Sequence, residues 1–281
     1  MSTPAPDAPI VALTGVRKAF DPLAPPALDG LTVSVPAGHV LVLLGTSGSG
    51  KTTALKTING LVWPDAGEVR VLGEDVLRCD LVALRRRIGY VIQEGGLLPH
   101  LPVLDNVVLV PRLLGWPLAR RVERGMELLR LVRLDADAVR GRRPADLSGG
   151  ERQRVGVARA LAAHPPLLLM DAPFGALDPL TRRRVQNDFK ELQARLGITV
   201  VLVTHDVPEA PGPSVRTDLC PHVLGEGLRC ALREVERQLS PPAEDPAEEA
   251  RHRENDVPMR DGRKHFLLQP LGPQELLLLF A

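Results

Sequence analysis

The sequence predicts an α/β fold with a parallel β-sheet at its centre. Residues 40–92 and 148–205 carry this core, because they contain short apolar runs with the length of buried strands, and a glycine-rich loop follows the first run. Residues 10–40 predict further strands, among them the alternating stretch Leu31–Val35. One more strand is predicted at Val69–Gly73.

The first apolar run, Val40–Leu44, leads into a segment that fits the phosphate-binding pattern G-x-x-x-x-G-K-[ST] without a mismatch. This segment and the threonine after it comprise Gly45, Thr46, Ser47, Gly48, Ser49, Gly50, Lys51, Thr52 and Thr53. The glycines let the backbone form a nest of N–H groups around a β-phosphate, while Lys51 reaches the β- and γ-phosphates and the Thr52 hydroxyl holds Mg²⁺. Thr53 is expected to donate to the α-phosphate. A strand before the loop and helix-forming residues after it favour a nucleoside-triphosphate site over a chance glycine- and serine-rich loop.

Residues 95–146 predict helices. Their apolar positions recur at helical spacing and are expected to face the core rather than a partner, as at Val122, Met126, Leu129 and Val132. The arginines of this segment are expected to be solvated, for example Arg120, Arg121 and Arg124.

Another helix is predicted to begin at Ser148, which has the capping-box spacing with Glu151. The apolar stripe of this helix is formed by Val155, Ala158 and Ala162. A Ser-Gly-Gly start presents unpaired N–H groups and the positive end of the helix dipole to an anion. Further along, Leu167–Asp171 predicts a strand that ends in a carboxylate suited to hold Mg²⁺ through water.

The segment Leu147–Val155 (LSGGERQRV) resembles the signature sequence of ATP-binding-cassette (ABC) ATPases. An ordinary capped helix is the alternative for Ser148 and Glu151 alone, but the phosphate loop upstream favours the resemblance. It implies a P-loop NTPase core of ABC type over residues 10–210, with an antiparallel β subdomain and a helical subdomain at about residues 95–146. It also implies ATP and Mg²⁺ as cofactors, and a head-to-tail dimer of ATP-binding subunits. The signature residues that would contact the partner's γ-phosphate are Ser148, Gly149 and Gly150.

The resemblance assigns roles to further residues that follow the family order. Gln93 matches the glutamine that senses Mg²⁺ and the attacking water, and Asp171 matches the magnesium aspartate. Asp178 lies in the loop that crosses the dimer interface, and His205 matches the switch histidine that contacts the γ-phosphate. Phe20 sits where the family stacks an aromatic ring on adenine, with a place in the core as the competing interpretation.

Ala172 departs from the family pattern, which has a glutamate here that polarises the attacking water. Alanine can neither accept a proton nor orient water, and losing a positioned general base typically costs roughly 10²–10⁴-fold in rate. We therefore expect a chain that binds Mg·ATP and closes into the dimer but hydrolyses ATP slowly or not at all. Neither Glu94 nor Asp178 is expected to substitute, and His205 can retain a weak role.

The C-terminal part of the chain also departs from the family. The family pattern stops near Ala210 and resumes near Met259. Residues 211–258 are interpreted as an atypical insertion or an out-of-frame stretch, mostly loop or disordered, and residues 259–281 as a remnant of the end of the ABC domain. The coding DNA distinguishes the two origins, since a family-like reading in another frame supports only the second.

Composition excludes several classes. A net charge of +1 gives no electrostatic case for nucleic acid. No apolar run approaches the ~18 residues of a membrane span, and Ser2–Pro9 lacks the parts of a signal peptide. Three irregularly spaced cysteines predict a reduced, cytoplasmic protein without a metal framework.

Two stretches, Gly89–Leu101 and Val110–Trp116, resemble the ATP subunits of osmoprotectant importers for glycine betaine, choline or proline betaine. This implies a peripheral protein on the cytoplasmic face of the cell membrane, with integral permease subunits as partners and a substrate-binding protein as an indirect one. The ATP-binding subunits can form a homodimer or a heterodimer. Three functions stay open: the energising ATPase of such an importer, a nucleotide-binding pseudoenzyme or non-functional variant, and a non-transport ABC protein acting on nucleic acid or ribosomes. The neutral charge and the importer-like stretches disfavour the third, and Ala172 separates the first two.

Overall fold

The computed structural model describes residues 9–44, 47–92, 96–173 and 195–204. It also describes the isolated residues 182, 187, 189, 191 and 193 and the strand segments 215–217 and 276–280. Residues 1–223 and 273–281 belong to one compact unit, while the second unit, residues 224–272, lies outside the described residues.

The described strands are β1 (Val11–Lys18), β2 (Leu28–Val35), β3 (Val40–Leu44), β4 (Ala66–Val71), β5 (Glu74–Asp75), β6 (Ile88–Val91), β7 (Leu167–Asp171), β8 (Thr199–Val203), β9 (Val215–Thr217) and β10 (Leu276–Phe280). The described α-helices are α1 (Lys51–Ile58), α2 (Leu81–Arg86), α3 (Val103–Val107), α4 (Leu109–Leu113), α5 (Leu118–Leu131), α6 (Ala136–Val139) and α7 (Gly149–Leu161). A 3₁₀ turn at Pro144–Asp146 precedes α7.

Four strands form an antiparallel sheet in the order β2-β1-β4-β5. The alternation predicted at residues 31–35 is confirmed, because Leu31 and Val35 are buried while Thr32 and Ser34 are exposed. The strand predicted at Val69–Gly73 is displaced toward the N-terminus and is β4. It ends at Val71 because Leu72 and Gly73 both have positive φ, which turns the chain into β5.

Six parallel strands form the central sheet in the order β6-β7-β8-β3-β10-β9. Strands β7 and β8 are buried at every residue, as expected for parallel strands covered on both faces. The strands predicted at 40–44 and 167–171 are confirmed without a shift. This sheet places the end of β3 beside the end of β8, so the phosphate loop emerges over the middle of the sheet.

Helix α1 belongs to a single core with the two sheets. Leu55 and Ile58 of α1 are fully buried and share one hydrophobic cluster with Leu13 and Val69 of the antiparallel sheet and Leu43 of the parallel sheet. This packing holds the helix that starts at the phosphate loop in a fixed position.

Strand β9 lies within the atypical residues 211–258, and strand β10 lies after them. Residues 215–217 form β9 inside the segment that was predicted to be mostly loop. Strand β10 pairs in parallel with β3, with Leu276 opposite Val40 and Phe280 opposite Leu44, and on its other side with β9. The backbone of β10 therefore flanks the strand that leads into the phosphate loop.

The helical prediction for residues 95–146 is confirmed from α3 onward. Met126, Leu129 and Val132 are buried, and Val122 is half-buried. The prediction of a solvated Arg124 is wrong, because its side chain is only 11% exposed. It turns inward to hydrogen-bond the carbonyl oxygen of Leu161 at the end of α7. Among the described residues, no helix is long and apolar enough to cross a lipid bilayer.

Candidate nucleotide-binding site

The described part of the phosphate loop begins at Ser47, and Gly45 and Thr46 lie outside the described residues. Gly50 is the N-cap of α1 and has φ of 88°, a conformation that residues with a Cβ rarely adopt. A Cβ on Gly50 would lie 2.1 Å from the carbonyl oxygen of Ala27. The loop can therefore pass this close to the start of β2 only with glycine at position 50.

Lys51 is the first residue of α1 and is 3% exposed. Its Nζ donates a hydrogen bond to Oγ of Ser49, 3.0 Å away, inside the same loop. Burial lowers the pKa of the Lys51 ammonium, and the negative charge of Asp171 acts in the opposite direction. Phosphate oxygens at the loop would add to the negative charge that Asp171 already provides for this cation.

Thr52 and Asp171 come together although they are far apart in the sequence. The Thr52 hydroxyl donates to Oδ1 of Asp171 at 3.1 Å, and Asp171 is 8% exposed at the end of β7. A hydroxyl and a carboxylate are hard oxygen ligands of the kind that Mg²⁺ prefers, so this pair fits a magnesium ion held between protein and phosphates. Gln93, the third predicted magnesium residue, lies outside the described residues.

Tyr90 is a neighbour of this centre that the sequence reasoning missed. It lies on β6, which pairs with β7, and is half-buried. Burial, reinforced by the charge of Asp171, raises the pKa of its phenol to about 12. Tyr90 is therefore a neutral hydrogen-bonding group beside Asp171 at physiological pH.

Ala172 directly follows Asp171 and is also buried, with 7% exposure. Its φ is 41°, in the left-handed region, and its N–H donates to the carbonyl oxygen of Val203 at 3.0 Å. The backbone at position 172 is thus fixed by the neighbouring strand β8, while the side chain offers only a methyl group. The described centre accordingly holds one carboxylate, Asp171, where the family pattern has two adjacent ones.

The predicted capping box at the start of α7 is confirmed. The Glu151 N–H donates to Oγ of Ser148 at 3.2 Å, and the Ser148 N–H donates to Oε2 of Glu151 at 2.8 Å. The backbone and side-chain hydrogen bonds from Ser148 lower the pKa of Glu151. Val155, Ala158 and Ala162 are all fully buried, which confirms the predicted stripe.

The signature segment presents its glycine-rich end to the surface. Leu147 is 4% exposed and anchors the segment, whereas Ser148 and Gly149 are exposed. Among the hydrogen bonds of the described residues, none joins Ser148 or Gly149 to the phosphate loop of the same chain. This exposed helix start can therefore offer its backbone N–H groups to an external anion.

Phe20 is 67% exposed, which excludes the core interpretation for this residue. The Nζ of Lys18 lies 5.6 Å from the centroid of the Phe20 ring, and Lys18 is in turn paired with Asp65 at 2.7 Å. The role of Phe20 as an adenine platform stays a prediction. Glu94, Asp178 and His205 lie outside the described residues, so their predicted roles stay predictions too.

Asn106 is a second residue that the sequence reasoning missed. It is fully buried, and its amide accepts from the Leu98 N–H at 2.7 Å and donates to the carbonyl oxygens of Leu98, Leu101 and Pro102. On the other side of the same loop, Arg159 donates to the carbonyl oxygen of Gly96 at 2.7 Å. Residues 96–102 are thus held by hydrogen bonds at both ends. The sequence could have indicated Asn106, because it is a polar residue on the otherwise apolar buried face of α3.

Comparison with known proteins decides the family. A sequence model of the family described as "ABC transporter" matches residues 28–175, which is more than half of the chain. This chain belongs to the ABC transporter family. The predicted family and fold class are thereby confirmed.

Several relatives of this ABC protein carry names from osmoprotectant transport. It is 50% identical over 195 residues to the osmoprotectant import ATP-binding protein OsmV of Salmonella typhimurium, covering 69% of this chain and 50% of that protein. It is 51% identical over 184 residues to the choline transport ATP-binding protein OpuBA of Bacillus subtilis, covering 66% and 48%. The chain therefore spans about half the length of these two relatives.

Among solved structures, the ABC protein resembles the dimeric ATP-binding cassette MJ0796 in a post-hydrolysis state bound to ADP and phosphate. The TM-score is 0.65 at 36% identity, and the match covers 71% of this chain and 90% of that one. The architecture described above is thus that of a known ATP-binding cassette.

Proposed function

We propose that this chain is the ATP-binding subunit of an ABC importer for an osmoprotectant such as glycine betaine or choline. The observation that carries the proposal is the hydrogen bond from Thr52, at the start of α1, to Asp171 at the end of β7. The charge of Asp171 also acts on the ammonium of Lys51. These groups have the chemistry of a Mg·ATP site. The names and the roughly 50% identity of the relatives supply the substrate class.

The described residues divide the work of binding. The N–H groups at the start of α1 and the Lys51 ammonium bind phosphate oxygens, and the helix dipole adds to their attraction. The Thr52 hydroxyl and Asp171 would hold Mg²⁺. When bound, Mg²⁺ neutralises charge on the phosphate oxygens. The exposed start of α7 serves the ATP of a second subunit in a head-to-tail dimer, whose partner is either the same chain or a related one.

The proposed importer role also implies a cellular location. It acts as a peripheral protein on the cytoplasmic face of the membrane, against integral permease subunits, and reaches a substrate-binding protein only through them. The solute never touches this subunit, so the identity of the solute is set by those partners.

Ala172 makes a nucleotide-binding pseudoenzyme the second candidate function. Binding depends on the loop and on Asp171, and the contact between Thr52 and Asp171 supports it, but no carboxylate stands at position 172 to orient the attacking water. The missing general base corresponds to a rate reduction of roughly 10²–10⁴-fold. An asymmetric dimer, in which the partner supplies the glutamate, reconciles transport with this loss.

The decisive experiment compares ATP binding and steady-state ATP hydrolysis of the native chain with Ala172→Glu and Ala172→Gln. Since alanine already carries a Cβ at φ 41°, glutamate adds no further backbone strain at this position. We expect equal ATP affinity in all three proteins and turnover raised roughly 10²–10⁴-fold only in Ala172→Glu. Ala172→Gln matches glutamate in size without the carboxylate.

Two outcomes would contradict the proposal in different ways. Comparable turnover in the native chain and Ala172→Glu would show that another group activates the water. Failure of the native chain to bind Mg·ATP, in a test where Lys51→Ala gives the same result, would remove the nucleotide-binding function itself.

A further inference from the structure

A cavity lies at the opposite edge of the central sheet from the phosphate loop. The loop follows the carboxyl end of β3, whereas this cavity surrounds the amino ends of β3 and β8, near Gly38 and Thr199. Its volume is about 290 Å³, close to the lower limit for sites that bind metabolite-sized ligands. Most of its wall is apolar and is formed by Ile10, Leu161, Pro165, Pro166, Leu196 and Ile198.

Arg124, on α5, is the charged residue in this wall. Its Nη1 donates to Oε2 of Glu127 at 2.8 Å, and its Nη2 donates to the carbonyl oxygen of Leu161 and to Nδ1 of His164, both at 3.3 Å. The Nε of Arg124 is buried and has no hydrogen-bond partner among the described residues. It is one of five such buried atoms among the described residues, and it has almost no accessible surface. Since Nη2 already has two acceptors and Nη1 has one, the N–H of Arg124 that remains for a ligand is the second one on Nη1.

His164 is the second polar residue of the wall. Because a guanidinium can only donate, Nδ1 of His164 must accept, which places the ring proton on Nε2. Burial, together with the charge of Arg124, lowers the pKa of His164, and the charge of Glu127 only partly opposes this effect. The imidazole is therefore neutral at physiological pH and can donate one hydrogen bond from Nε2.

Trp116, in the helical segment, contacts this wall through His164. Its ring stacks on that of His164 with centroids 6.0 Å apart and planes at 25°. The guanidinium of Arg120 lies over the Trp116 ring, 3.8 Å from its centroid. A ligand that contacts His164 therefore alters the surroundings of a tryptophan.

We propose that this cavity binds a small organic carboxylate with an apolar tail. The carboxylate accepts hydrogen bonds from Arg124 and from Nε2–H of His164, and the tail lies against the apolar wall. An inorganic anion would leave that wall in contact with water, and a cation would face the positive charge of Arg124. Such a ligand would tie α5 to the amino edge of the sheet, which gives it a means to regulate the helical segment. The inference does not depend on what binds at the phosphate loop.

The test uses the two tryptophans of the chain, Trp63 and Trp116. In a Trp63→Phe background, Trp116 is the single emitter, and its fluorescence is titrated with hexanoate and with hexanamide, the uncharged counterpart. We expect a saturable change with hexanoate and an affinity at least about tenfold lower for hexanamide, because a hydrogen bond to a charged group is the stronger one. ATP affinity, measured in parallel, should not require hexanoate.

Two variants and a control make the result specific. Ala37 is exposed at the rim of the cavity, so Ala37→Phe fills the entrance without disturbing the core and should abolish hexanoate binding. Arg124→Gln should weaken binding at least about tenfold. Arg130→Gln, on an exposed part of the same helix, should bind as the native protein does.

The proposal is overturned by a non-saturable response to hexanoate, by equal affinities for hexanoate and hexanamide, or by undiminished binding in Ala37→Phe. Should Arg124→Gln fail to fold, the Ala37→Phe result still decides.

Discussion

At the scale of single residues, the phosphate loop shows that two glycines with the same backbone conformation can face different constraints. Gly48 and Gly50 have φ of 84° and 88°, so a Cβ added at either position causes the backbone strain of the left-handed region. A Cβ on Gly48 meets no atom within 4 Å, whereas one on Gly50 meets the Ala27 carbonyl oxygen at 2.1 Å. The pattern G-x-x-x-x-G-K-[ST] specifies Gly50 but cannot state which neighbour excludes a side chain there.

We therefore predict that Gly50→Ala lowers the free energy of unfolding by roughly 2–4 kcal/mol, from strain and overpacking together. Gly48→Ala is the matched control, with an expected loss of about 1–2 kcal/mol from strain alone. Urea denaturation without nucleotide measures both, so that any effect on ATP binding does not enter. Equal losses in the two variants would contradict the contact with Ala27.

The residues around the site also show why some were predictable and others were not. Lys51 and Thr52 belong to the phosphate-binding motif, and Asp171 ends an apolar run, so all three were selected from the sequence. The structure brings Thr52 and Asp171 into hydrogen-bonding contact. Arg124 was wrongly predicted to be solvated. Helical spacing predicts which face of α5 it lies on, but not that a carbonyl oxygen and an imidazole from the end of α7 bond to it. Tyr90 was missed because its relation to Asp171 arises from the pairing of β6 with β7.

At the scale of elements, the boundaries that depend on local chemistry were predictable. The start of α7 follows from the capping box alone, and β3 and β7 have the bounds that their apolar runs indicate. The order of the strands in the sheet was not predictable in this way, because β3 pairs with β8 and β10, which come from distant parts of the sequence. Short helices such as α3 depend on tertiary contacts, and the buried amide of Asn106 is one of them.

The capping box gives a prediction with a defined pH dependence. Ser148→Ala should lower the free energy of unfolding by about 1 kcal/mol. Because the folded state lowers the pKa of Glu151, the charged carboxylate stabilises the fold at pH values above its ordinary pKa near 4.5. This stabilisation is lost as the pH falls through the lower, folded value.

Urea midpoints for the native chain and Glu151→Gln, measured at pH 7 and again well below pH 4.5, test this dependence. We expect Glu151→Gln to be the less stable protein at pH 7 and the difference to shrink in acid. Glu123→Gln, at an exposed position of α5, controls for the loss of one negative charge. A difference that is the same at both pH values would show that the Glu151 charge does not stabilise the helix start.

At the scale of the whole molecule, the proposed function divides the nucleotide site between two separate parts of the chain. The phosphate loop and Asp171 form one half, and the exposed start of α7 forms the other. A two-fold dimer in which each loop faces the partner's α7 would complete two sites at once. Slow hydrolysis at Ala172 would keep ATP, and therefore the dimer, in place.

We predict that the chain sediments as a monomer without nucleotide and as a long-lived dimer with Mg·ATP, whereas Ala172→Glu returns to monomer as ATP is consumed. Gly149→Asp provides the critical variant. An acidic residue in the first turn of α7 suits the helix dipole, and a Cβ at this position meets only the end of the Arg152 side chain at 3.9 Å, so the fold should be kept. The added charge repels the partner's γ-phosphate, so this variant should bind ATP and stay monomeric in sedimentation velocity. Dimerisation of Gly149→Asp with Mg·ATP would show that the start of α7 does not face the partner's nucleotide.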